Sequence, residues 1–261
     1  MNLIDDHIAW GTRRGLRPNY LHDLGCTLRR CERAVGPLEH AAGLSVEAWW
    51  DSLPVGHGSK AAYAAHLSSF YRWTVREGHR ADDPTLRFVR PRLRRGLPRP
   101  VPHRHIEWAV SLAPHPVRAW LLLAAFAGLR ACEVASLHAS DIEADVLIVR
   151  DGKGGKQRIV PVHPFVRNEL EQLPTSGWLF PGRSGPVGAN TVSQRAGRYL
   201  RSVGVPESFH QFRHSFATAV YRESLDLRLT QELLGHASPT TTALYAAWEP
   251  SKAAAVVARL V

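Results

Sequence analysis

"VLIVRDGKGGKQRIVPV", residues 146–162, is where the periodicity of the chain changes. Two runs rich in β-branched residues flank a Gly-Lys-Gly-Gly-Lys turn, the pattern of an antiparallel hairpin. On either side, apolar residues recur at helical spacing instead. Upstream, "HIEWAVSLAP" (105–114) and "PVRAWLLLAAFAGL" (116–129) predict helices. Downstream, helices are expected near 164–172, 190–202, 209–222, 227–234 and 239–247, with a last one in "SKAAAVVARLV" (251–261). The second half, 103–261, is therefore expected to be mainly α with a small β-hairpin or sheet, an α+β domain.

The first half lacks any such break. "NYLHDLGCTLRRCERAVG" (19–36) predicts a helix stopped by Gly36 and Pro37. "SVEAWWDSL" (45–53) opens with Ser45 as its expected N-cap. In "SKAAYAAHLSSFYRWTVREGH" (59–79), Tyr63, Leu67, Phe70, Tyr71 and Trp73 form an apolar stripe, read as core rather than as a base-stacking surface. Residues 1–83 are thus expected to form a separate all-α bundle. Between the two halves lies "PTLRFVRPRLRRGLPRPVP" (84–102), with five prolines, six arginines and no acid. Proline prevents a regular helix and the charge suits a phosphate backbone, so this stretch is expected to be a basic linker, with Arg90, Arg92, Arg94 and Arg95 touching nucleic acid.

Charge supports that partner. The 261-residue chain carries a formal net charge of +10, and a charge of this size attracts polyanions over long range. The longest apolar run falls well short of the ~20 residues that span a bilayer. The acidic start "MNLIDDHIAW" does not read as an export signal. Cys26, Cys31 and Cys132 are an odd number without CxxC spacing, which argues against a disulfide framework or zinc ribbon. A cytoplasmic, nucleoid-associated protein with double-stranded DNA as partner and no membrane association is the expectation.

Four separated segments attract attention: "AGLRACEVASL" with Arg130 and Glu133, "DGKGGKQRIVPV" with Lys153 and Lys156, "FHQFRHSFAT" with His210 and Arg213, and "LLGHASPTTTALYAAW" with His236 and Tyr245. Cleaving a phosphodiester needs a nucleophile, positive charge on the non-bridging oxygens and a proton for the leaving oxygen. Guanidinium forks suit the second task, since they stay charged and match a phosphate. Arginine donates protons poorly, with a pKa above about 12, whereas a lysine can be tuned downward by cationic neighbours. Lysine is scarce here, at Lys60, Lys153, Lys156 and Lys252 alone, and two of the four occupy the hairpin turn. His210 and His214, four residues apart, have a spacing that can bind zinc on a helix. The glutamate of a metalloprotease box is missing, so no metal site is expected. "GKGGKQ" lacks the spacing of a nucleotide-binding loop, and no cofactor is expected. Arg195, Arg198 and Arg201 in "NTVSQRAGRYLRS" (190–202) are candidates for contact with a DNA groove.

In order and spacing, the four segments resemble the signature boxes of the tyrosine recombinase (phage integrase) family, over residues 105–250. The resemblance implies a site-specific DNA recombinase that cuts and rejoins strands through a 3′-phosphotyrosine. It makes Tyr245 the nucleophile, Arg130 and Arg213 the phosphate clamp, and Lys153 the general acid, with Lys156 as runner-up. His210 would contact the scissile phosphate and assist removal of the tyrosine proton, His236 would hydrogen-bond a non-bridging oxygen, and Glu133 would orient its neighbours. It further implies a C-shaped clamp on DNA, a homo-tetramer on paired sites with half the sites active at a time, and a C-terminal helix docked on a neighbouring protomer. Accessory DNA-bending or directionality factors would fit the same picture. Ala127 and Phe212 depart from the usual residues of the boxes at positions without chemistry. Residues 1–18 are too few for an arm-binding domain, which points to a simple recombinase of the chromosome-dimer-resolving or small-integrase kind. A type IB topoisomerase-like enzyme and a noncatalytic DNA-binding protein of the same fold are the alternatives.

Overall fold

The computed structural model describes residues 2–91, 99–143, 145–150 and 157–235. The chain divides into two compact units, Met1–Arg95 and Gly96–Val261. No helix among the described residues is long and apolar enough to cross a membrane.

Among the described residues, the first unit is built from four α-helices. The first, α1 (Leu3–Arg13), starts where the Asn2 side chain accepts the Ile4 N–H at 2.9 Å, with Asp5 and Asp6 at its positive end. The second, α2 (Pro18–Val35), has proline at its first position and stops at Gly36, as the sequence predicts. The third, α3 (Gly43–Ser52), begins after Ala42, so Ser45 lies inside the first turn and does not cap it. No side chain caps this helix; the burial of Val46 and Trp50 holds it in place. The fourth, α4 (His57–Arg76), buries Leu67, Phe70, Tyr71 and Trp73, the greater part of the expected stripe, against Leu24, Leu28 and Cys31 of α2.

Both ends of the stretch 84–102, expected to be a linker, pack on a compact unit. Pro84–Arg87 form a 3₁₀ turn capped by Asp83, with Pro84 and Thr85 buried. Phe88 stacks on Trp50 with ring centroids 4.6 Å apart, and the Arg90 guanidinium donates to Ser68 Oγ at 2.6 Å. Apolar burial thus draws this proline-rich stretch onto the first unit. At the other end, Val101 is buried in the core of the second unit, its N–H donating to Ser215 Oγ at 2.7 Å. Arg80 closes the irregular segment between α2 and α3. Its Nη1 donates to the carbonyls of Leu38, Glu39 and Ala41 at 3.0, 2.9 and 3.0 Å, and its guanidinium lies over the Tyr71 ring.

The second unit is organised around α6 (Val117–Phe126), which follows α5 (His103–Leu112) and is buried nearly all round through Trp120, Leu121, Leu123 and Ala124. A short helix, α7 (Ala131–Ala135), leads to a three-stranded antiparallel sheet of β1 (Ile142–Glu143), β2 (Val146–Val149) and β3 (Arg158–Pro161) in that order. The expected hairpin is β2–β3, with Leu147 opposite Val160 and Val149 opposite Arg158. Strand β1 extends it through Ile142 and Leu147. The chain continues through α8 (Pro164–Leu170), a second small hairpin of β4 (Pro181–Gly182) and β5 (Gly185–Pro186), α9 (Ala189–Ser202), α10 (Phe209–Ser224) and α11 (Leu227–Leu234). The helices expected over 239–247 and 251–261 lie outside the described residues.

Candidate active site

The turn that leaves α6 sets the site. Gly128 has φ +64°, and a Cβ there would sit 2.4 Å from the Phe216 ring of α10. Glycine therefore lets the chain turn tightly against α10 and bring Arg130 to the start of α7. Glu133, three residues on, does not share a helical face with Arg130. It occupies the third position of α7, and its carboxylate reaches back to accept the Arg130 backbone N–H at 2.8 Å. That is one half of a capping box, the half a glutamate can make.

Glu133 is only 3% exposed and gathers three guanidinium groups. Arg130 Nη1 donates to Oε1 at 2.7 Å. Arg158, at the start of β3, donates through both terminal nitrogens, to Oε1 at 2.9 Å and Oε2 at 2.8 Å. Arg213 of α10 brings Nη1 to 3.5 Å from Oε2. Burial alone would raise the carboxyl pKa. The hydrogen bonds and charge of Arg158, the charge of Arg213 and the Arg130 N–H outweigh it and hold the value down to about 2. The carboxylate is therefore ionised at any working pH.

The same arginines reach α11. Arg213, 2% exposed, donates from Nη2 to Leu234 O at 2.6 Å and from Nη1 to Gly128 O. Arg158, 8% exposed, donates from Nε to Leu233 O at 2.8 Å. Carbonyls left over at a helix C-terminus need donors, and two guanidinium groups supply them. Gly235 follows at φ +61°, where a Cβ would come within 3.0 Å of Arg158 Cδ. Arg158, Arg213 and Glu133 thus form one buried node joining β3, α7, α10 and α11. The Arg130 side chain sits at its edge, 21% exposed.

His210 and His214 lie one turn apart on α10, ring centroids 4.6 Å apart and nearly perpendicular. Desolvation first, then the Arg213 and Arg130 charges, lowers the His210 pKa. Desolvation, His210 and Arg213 bring that of His214 down to about 4. Both shifts favour the neutral ring, the form of an imidazole that can take up a proton.

The structure thus brings together Arg130, Glu133, His210 and Arg213 of the expected set. Lys153, Lys156, His236 and Tyr245 lie outside the described residues, as do Arg92, Arg94 and Arg95. Arg195 and Arg198 are exposed on α9, and the Arg195 guanidinium lies 5.4 Å from the centre of the buried Trp120 ring. Arg158 escaped the sequence reading. Its signal lay in strand alternation: Arg158 and Val160 share the buried face of β3, and an inward arginine on such a strand requires a buried acid.

Comparison with known proteins places the chain in a family. The profile of the phage integrase family matches residues 107–252. The tyrosine recombinase XerC of Erythrobacter litoralis is 32% identical, over 97% of this chain and 90% of its own length. Among solved structures, a lambda integrase dimer bound to a COC′ core site superposes with a TM-score of 0.75 at 21% identity, covering 93% of this chain and 75% of that one. A lambda integrase tetramer bound to a Holliday junction gives 0.75 at 20%, covering 95% and 78%.

Proposed function

The chain belongs to the phage integrase family and is a tyrosine-type site-specific DNA recombinase, in which, we propose, Tyr245 is the nucleophile that cuts and rejoins the strands. The phenolic oxygen attacks the scissile phosphorus, the bond to the 5′-oxygen breaks, and a 3′-phosphotyrosine conserves the bond energy for rejoining. Neutral His210 accepts the phenol proton, and Lys153 protonates the departing 5′-oxygen. Arg130 and Arg213 neutralise the charge that builds on the non-bridging oxygens, with a hydrogen bond from His236. The 5′-hydroxyl of a partner strand then attacks the phosphotyrosine, expelling the tyrosine.

One observation carries this reading: Arg130 and Arg213, from different helices, converge on one buried carboxylate with neutral His210 on the same helix as Arg213. Three positive charges surround a single negative one, an arrangement suited to receiving an anion. The basic stretch with Arg90, Arg92, Arg94 and Arg95, the hairpin Lys156, and Arg195 and Arg198 would contact phosphates elsewhere on the duplex. The net charge supports such contacts, and affinity should fall steeply with salt. By likeness to the lambda integrase assembly, four protomers act on two paired sites.

The test uses a nicked suicide substrate bearing candidate sites, incubated with the protein in EDTA. Wild type should give an SDS-resistant protein–DNA adduct, and Tyr245→Phe should give none. An adduct that persists in Tyr245→Phe refutes the assignment. Relaxation of site-free plasmid without junctions between paired sites would instead indicate topoisomerase behaviour.

A further inference from the structure

We propose that Arg158 is a positioning residue for the cleavage reaction, acting through Glu133 to hold Arg130 and Arg213 in the geometry that meets the phosphate. The inference rests on the recombinase reading above and assigns work to a residue outside the expected site.

The geometry is specific. Arg158 is the only one of the three guanidinium groups that engages both Glu133 oxygens, at 2.9 and 2.8 Å, while its Nε holds Leu233 O. Fork-to-fork pairing fixes the plane of the carboxylate as well as its place. With that plane fixed, Arg130 meets Oε1 through a single nitrogen, and its other side-chain N–H groups have no partner among the described residues. Arg213 stands 3.5 Å from Oε2 and bonds instead to the carbonyls of Gly128 and Leu234. Were Arg158 absent, Glu133 would have two cations left to compete for. Its cheapest response would be to draw the Arg130 fork inward as a bidentate partner, away from the phosphate. Arg158 thus saturates the acid so that Arg130 and Arg213 are not drawn further onto it.

Lysine cannot replace this arrangement, because one ammonium cannot span both oxygens and the Leu233 carbonyl. Arg158→Lys should therefore slow adduct formation at saturating protein by about 100-fold, the scale of a misplaced reacting group, with DNA affinity unchanged. A substrate in which a methyl group replaces one non-bridging oxygen carries less charge for the arginines to neutralise. On it, the deficit should shrink to within about 3-fold of wild type, as expected when the lost function is charge stabilisation. An equal deficit on both substrates overturns the proposal, since a merely loosened fold slows both alike. A mutant cycle with Glu133→Gln supplies the second reading. If Arg158 acts through Glu133, the double variant is no slower than Glu133→Gln alone, whereas additive losses refute the route. Wild type is the internal control: its failure to form an adduct counts against the recombinase mechanism, and its success with the wrong variant pattern counts against Arg158.

Discussion

Both units bury arginine, and they use it differently. In the first, the Arg80 side chain is 8% exposed and serves three neutral carbonyls of one loop, its charge balanced by exposed Asp82 at 2.8 Å. In the second, Arg158 and Arg213 sit deeper still and share one acid with Arg130. The first arrangement finishes a backbone that would otherwise lack partners. The second leaves positive charge in excess, a costly arrangement in a folded core unless an anion completes it. One unit is organised for packing, the other around a deficit.

Substitutions in each unit should separate stability from chemistry. Trp50 stacks on Phe88 and donates from its indole to Lys60 O at 3.1 Å, so Trp50→Ala should cost about 3–5 kcal/mol, measured as a lower urea midpoint. Arg213→Lys keeps the charge and loses the fork. It should lower the single-turnover cleavage rate by about 100- to 1,000-fold, with a smaller shift in midpoint than Trp50→Ala. A midpoint loss equal to that of Trp50→Ala would break the contrast between the two units.

Acid titration sharpens it further. Because folding holds Glu133 at about 2, below an unfolded carboxyl near ~4.3, its stabilising contribution is complete above the unfolded value and vanishes as pH falls through the folded one. Melting curves from pH 5 to pH 2 should therefore show an acid loss that Glu133→Gln flattens. Unchanged acid sensitivity in that variant would mean the carboxylate is not held as described. The smallest effect is expected at Arg29–Asp5, a 2.6 Å pair on the surface of the first unit with both partners largely exposed. Arg29→Ala should change the unfolding free energy, read from the urea midpoint, by less than about 0.5 kcal/mol.

What the sequence revealed follows from the kind of signal involved. Periodicity disclosed the hairpin and most helices, and Gly36 marked a true stop, because local spacing alone determines them. Helix α1 goes unsignalled in the sequence, where its acidic opening speaks only against export. Ser45 misled because packing of Val46 and Trp50 outweighed capping preference. The stretch near Phe88 read as linker because its prolines and arginines hid one aromatic side chain whose partner, Trp50, is 38 residues away. Motif resemblance singles out Arg130, Glu133, His210 and Arg213, which the fold brings together. It does not single out Arg158, because among so many arginines only the face of β3 distinguishes it, and that face has meaning once Glu133 lies beneath it.

The last turn of α11 ends on Leu233 and Leu234, whose carbonyls are held by Arg158 and Arg213. Fraying that turn would untether two of the three cations around the acid. A substitution in α11 that never approaches the duplex would then register as a slower strand break, easily mistaken for damage to the active site itself. Screens that sort variants by distance from DNA would misfile it.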